Sequence, residues 1–123
     1  MAGKKDKIKD SNRYSIIAPF MNKCYLCGSS DRVAKHEVFY GSNGSRAKSK
    51  EDGLVLELCW YHHNGSNMGV HFNKELDLRL KKQAEKIWIK EYTDHNESIE
   101  HRIGEFIKRY SKNYLENSDL EGL

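Results

Sequence analysis

Along this chain, apolar and polar residues alternate in one short run, and further on the apolar ones recur at helical spacing. Val33 to Tyr40 alternates and reads as a strand, and the short apolar run Leu54 to Leu58 reads as its partner. Asn73 can cap a helix in which Leu76, Leu80, Ala84, Ile87, Trp88 and Tyr92 fall three and four apart, giving one buried stripe. Thr93 to Asn96 break that stripe, and Ile99, Ile103, Phe106, Ile107, Tyr110 and Tyr114 repeat it, so a helical hairpin is expected, its stripes serving as core. Between the strands, Gly41 to Lys50 is rich in glycine and serine and reads as a mobile loop. The ends differ in character. Met1 to Arg13 is a flexible basic arm on this reading, and the apolar patch Ile16, Ile17 and Phe20 beside Pro19 is expected to pack on the domain. From Glu116 the chain turns polar and acidic and is expected to fray. The boundaries are then 1–20 for arm and lead-in, 21–73 for the strand region, 74–116 for the helices and 117–123 for the tail.

Composition sharpens this picture at one point. With 123 residues, 37% of them hydrophobic, the chain makes at most one small domain with a thin core, and such a domain needs a staple. Three cysteines cannot pair off completely, and no apolar run is long enough for a signal peptide or a membrane span. A reducing cytoplasm, no membrane partner and a metal staple are the expectation. A net charge of +3 permits nucleic acid as a partner without demanding it.

The cysteines supply the staple's chemistry. Cys24-x-x-Cys27-Gly28 has the spacing of a zinc knuckle, and Cys59-x-x-His62 completes a Cys3His set of the kind that holds structural zinc tetrahedrally. A redox CxxC belongs at a strand-to-helix junction of a βαβ unit, which this sequence does not offer. Structural zinc contributes on the order of 10 kcal/mol to the folding of small domains. Three histidines remain at notable positions, His36, His63 and His71, while His95 and His101 on the later helices read as ordinary surface or core residues. Arg46, Lys48 and Lys50 in the loop can lie along a nucleic-acid backbone, though a charge run is equally well a solvated surface.

These residues together carry a resemblance. A CxxC knuckle, a strand reaching His36-Glu37, a basic loop, Leu58-Cys59-x-x-His62-His63 and then a helix resemble the HNH endonucleases, the ββα-metal or His-Me finger group. The likeness is closest to small phage-encoded HNH proteins, echoed again in Gly69 to Lys74 and in Lys112 to Leu115, and it covers Cys24 to Leu115. The resemblance implies an α+β fold, a zinc-stapled ββα-metal module followed by a C-terminal helical hairpin. It also implies metal-dependent hydrolysis of DNA phosphodiester bonds in the bacterial host cytoplasm, leaving 5′-phosphate and 3′-hydroxyl ends. His36 and His63 become ligands of a catalytic divalent metal (Mg2+, Mn2+, Ni2+ or Zn2+), and His71 a further ligand.

The chain departs from the family pattern twice. Glu37 stands where the general-base histidine is expected, so either Glu37 is the base and His36 a ligand, or His36 is the base and Glu37 a ligand. Neighbouring strand residues point to opposite faces, so both can serve one site only if the strand bends. Gly53-Leu54 replaces the asparagine that braces the loop in the family, with Asn43 or Asn67 as substitutes. The departures motivate an alternative class: an HNH-fold binding protein without turnover, such as a phage inhibitor of a host nuclease like a CRISPR effector (an anti-CRISPR). A zinc-finger DNA binder is the third reading, and it leaves His36, His63 and His71 idle.

Overall fold

The strand pattern is realised as a two-stranded antiparallel sheet in a computed structural model that describes residues 14–41, 44–65 and 67–123. The basic arm of residues 1–13 and Asn43 lie outside the described residues. Strand β1 (Ala34–Glu37) pairs with β2 (Val55–Leu58) in the register Ala34 to Leu58 and Glu37 to Val55. The ladder is shorter than the alternating run because a side chain intervenes. Val38 N–H still reaches Leu54 O at 3.0 Å, but the next amide, Phe39 N–H, donates to Ser49 Oγ at 3.3 Å. Every residue of β2 is buried, Glu57 included. The Glu57 carboxylate accepts the Met21 amide at 2.7 Å and the Asn22 amide at 3.0 Å, which ties the lead-in segment against the sheet.

Residues expected as a mobile loop form a helix instead, α1 (Ser45–Asp52). Its glycines flank it rather than loosen it: Gly44 and Gly53 take left-handed conformations at the two caps. A side chain at Gly53 would also run into the Tyr14 ring, 2.7 Å from its Cβ position. What α1 buries is polar, namely Ser45, Ser49 and Asp52, spaced four and three apart on one face. Ser49 Oγ donates to Leu54 O at 2.7 Å, so one hydroxyl joins α1, the exit of β1 and the entry of β2. Asp52 accepts from Trp88 Nε1 at 2.8 Å, Tyr110 Oη at 2.7 Å and Arg109 Nε at 2.9 Å. Those bonds pin α1 to the helical hairpin.

The one-turn helix α2 (Trp60–His63) follows β2, and the hairpin follows as α3 (Lys74–Tyr92) and α4 (Ile99–Tyr110). Asn73 and Ser98 cap their helices by accepting the amides of Leu76 at 3.0 Å and His101 at 3.1 Å. Helix α4 ends before Tyr114, because Ser111 turns left-handed and its amide closes on Ile107 O at 2.6 Å. Tyr114 still joins the core, its ring 5.5 Å from that of Phe39, beside Tyr110 at 4.7 Å and Phe106 at 5.4 Å. The tail expected to fray instead forms a 3₁₀ turn (Asn117–Asp119), with Asp119 paired to Lys82 at 3.1 Å and Leu120 and Leu123 against the core. Among the described residues the fold is thus small and α+β, with four helices and one two-stranded sheet, and no helix is long and apolar enough to cross a membrane.

Candidate metal centres

Two side-chain clusters meet at α2, one on each of its adjacent histidines. The first contains Cys24 and Cys27 from the turn before β1, Cys59 at the end of β2 and His62 of α2. Cys24 N–H donates to Ser29 O at 2.8 Å and Gly28 N–H to Cys24 O at 2.8 Å, closing the knuckle so that both thiols face one point. Cys27 Sγ lies 3.8 Å from Cys59 Sγ; His62 Nδ1 lies 3.7 Å from Cys24 Sγ and 3.5 Å from Cys59 Sγ. A sulfur pair at that distance is far outside disulfide length. A tetrahedron with metal–sulfur bonds of about 2.3 Å and metal–nitrogen bonds of about 2.0 Å has edges of roughly 3.5 to 3.8 Å. The four ligand atoms are therefore close enough to hold a metal ion, and the donor set fits one. Burial opposes ionisation of Cys24, but the amides of Cys59, Cys27 and Leu26 outweigh it and lower the thiol's pKa.

The second cluster is His36 of β1, His63 of α2 and His71 of the loop before α3. Their ring centres form a nearly equilateral triangle: 5.2 Å from His36 to His63, 5.3 Å from His36 to His71 and 4.9 Å from His63 to His71. One nitrogen from each lies within 4.8 Å of the others. Backbone pairing brings the last two together. Val70 N–H donates to His62 O at 2.8 Å and His71 N–H to His63 O at 3.4 Å, an approach that only glycine at position 69 allows, since a Cβ there would stand 2.7 Å from His63 O. His36 is almost wholly buried, and its Nε2 has no hydrogen-bond partner. That orphaned atom in a ring of imidazoles fits a cation. Burial, then His63 and His71, then the cations Arg46 and Lys81, push His36 down to about 3; burial, His71 and Arg46 also lower His63. Both rings are neutral at pH 7, the form that ligates metal.

No protein-family model, no curated protein and no solved structure matches this chain.

Not every residue singled out in the sequence joins a cluster. Glu37 follows His36 on β1, is buried, and meets Arg46 Nη1 at 3.4 Å, but it lies outside the set of groups within common ligand distance. Arg46, Lys48 and Lys50 sit on α1 rather than on a loop, so Arg46 and Lys50, four apart, share a face that Lys48 does not. Asn67 is exposed and Asn43 lies outside the described residues, while Ser49, which no motif indicates, ties the exit of β1 to the entry of β2. His95 Nε2 donates to Lys90 O at 2.7 Å, and His101 pairs with Glu105 at 3.4 Å, both at the surface. A groove of about 550 Å³ lined by Leu26, His62, Met68, Leu76, Arg79 and Gln83 borders the cysteine cluster, and none of His36, His63 and His71 lines it.

Proposed function

We propose that the chain is a metal-dependent HNH endonuclease that hydrolyses DNA phosphodiester bonds. In this reading Cys24, Cys27, Cys59 and His62 hold structural zinc, and His36, His63 and His71 hold a second divalent cation. The observation that carries it is the triangle of histidines, one with an orphaned buried Nε2, with the Arg46 guanidinium near enough to act on His36 and His63. A bound cation supplies Lewis-acid stabilisation of the charge that builds on the phosphate. The chain's own groups do the remainder. Arg46, with its side chain 58% exposed, can reach out to a phosphate oxygen while the buried Glu37 stays behind it. Glu37 takes the proton of the attacking water, and His36 acts as ligand; of the two role assignments this one agrees with Glu37 lying outside the ligand group.

The test is incubation of purified protein with supercoiled plasmid across Mg2+, Mn2+, Ni2+ and Zn2+. Nicking that is abolished by chelator and in His63→Ala, and reduced by roughly 10²-fold or more in Glu37→Gln with the metal retained, supports the reading. A wild type that leaves DNA intact under all four metals and binds no second metal overturns it. That outcome favours the second reading, a binding protein with this fold that blocks another nuclease, which the arginine tie on Glu37 supports.

A further inference from the structure

Beside the triple-histidine centre a side chain from the end of β1 and two from α3 close on one another. Tyr40, just past the end of β1, meets the His36 ring at 5.6 Å and the His71 ring at 5.2 Å, edge to face in both cases. Its hydroxyl donates to Asp77 Oδ1 at 3.0 Å, in the first turn of α3. The other oxygen of Asp77 pairs with Lys81 Nζ at 2.9 Å, and that same Nζ stands 4.6 Å from the centre of the Tyr40 ring. The Asp77 and Lys81 side chains are only 17% and 15% exposed, so solvent screens this pair less than an ordinary surface pair. Burial and Asp77 push the Tyr40 hydroxyl up to about 12, which keeps it a donor.

A tyrosine needed only for packing requires no more than its ring to be covered. Here the hydroxyl is bonded to Asp77 and the ring lies under Lys81, two groups of α3 that together limit the orientation of the ring. The two imidazoles against it inherit that constraint. His71 has most to gain, because it is exposed and sits in a loop, where a free side chain would lose rotamer entropy on ligation. Ligand sites work when their side chains are held to within about 0.5 Å of the productive geometry.

We infer that Tyr40 is a positioning residue of the triple-histidine centre, fixing the ring planes of His36 and His71, with Asp77 and Lys81 of α3 holding Tyr40 in place. The inference rests on the reading of those histidines as a metal centre. It extends the site to α3, which contributes no ligand to it.

The experiment titrates Co2+ into zinc-loaded wild type, Tyr40→Phe and Tyr40→Leu, following visible absorption and, separately, thermal unfolding. Tyr40→Leu is expected to weaken Co2+ binding by about ten- to hundred-fold and to alter the absorption bands, the scale seen when groups that orient metal ligands are removed. Tyr40→Phe keeps the ring and its Lys81 contact but loses the bond to Asp77, so its affinity should fall between those of wild type and Tyr40→Leu. Unchanged Co2+ affinity and spectrum in Tyr40→Leu, even with a lowered unfolding temperature, would reduce Tyr40 to packing and overturn the inference while the metal centre stands. A wild type that takes up no Co2+ beyond the cysteine site overturns the metal-centre reading, and the inference falls with it.

Discussion

Glu85 lies on α3 with its side chain fully buried, one oxygen accepting the Tyr114 amide at 2.8 Å and the other, Oε2, without a partner. Burial raises its pKa to about 7, against the lowering effect of the Tyr114 bond and with Asp119 adding to the rise. The folded protein therefore binds this proton more tightly than the unfolded chain does, so Glu85 contributes stability below about pH 4.5 that is lost as pH climbs through about 7. Glu85→Gln should flatten that dependence: urea unfolding at pH 5 and pH 8 should show the variant gaining on wild type at the higher pH. An equal difference at both values would mean that Glu85 does not titrate across this window. The same residue illustrates what a sequence withholds. Cys24, Cys27, Cys59 and His62 were legible because their chemistry is carried by residue type and spacing, whereas His36, His63 and His71 were singled out as ligands through the family resemblance; the structure gathers the seven into two sets. Ser49, Asp52, Tyr40 and Asp77 were not, since a hydroxyl or carboxylate becomes informative only once its partner is known, five and ten positions away for Ser49 and more than thirty for the others.

At the scale of elements, the apolar stripes predicted α3 and α4 well because each buries a face against the same core. Helix α1 escaped that test. Its buried face is Ser45, Ser49 and Asp52, so a search for apolar periodicity has nothing to find, and the flanking glycines mimic the composition of a loop. The helix changes what the basic residues can do. On a loop, Arg46, Lys48 and Lys50 would wrap together around a phosphate backbone; on α1, Arg46 and Lys50 face one way and Lys48 another. Replacing Arg46 and Lys50 together by alanine should reduce the slope of log affinity for DNA against log salt by about 0.9 for each phosphate that is no longer neutralised. Lys48→Ala should change it little. Binding measured at four salt concentrations decides the matter, and equal effects from all three positions would mean that α1 does not meet DNA by one face.

Among the described residues, the core takes in half of the cysteine cluster: Cys24 and Cys59 belong to the same buried set as Phe39, Leu58, Trp88 and Phe106, while His62 is half-buried and Cys27 exposed. The sheet supplies only two strands, fewer than a sheet needs for independent stability. On the proposed zinc reading, losing that ligation should therefore not loosen a peripheral knuckle but unfold the domain cooperatively. It should also dismantle the second centre. His62 and His63 are consecutive in α2, and the two backbone bonds from residues 70 and 71 to their carbonyls are what set His71 beside His63. Purified protein is expected to carry one tightly held zinc. Stripping it with a strong chelator, or replacing the buried ligand by Cys59→Ser, should abolish the helical circular dichroism of α3 and α4 together with Co2+ binding at the histidines, and adding zinc back should restore both to the stripped wild type. The two signals should vanish at the same chelator concentration, because one core joins them. Retention of full helicity in metal-free protein would show that the hairpin folds without the staple, and retention of Co2+ binding there would show that the histidine triangle assembles without its neighbour.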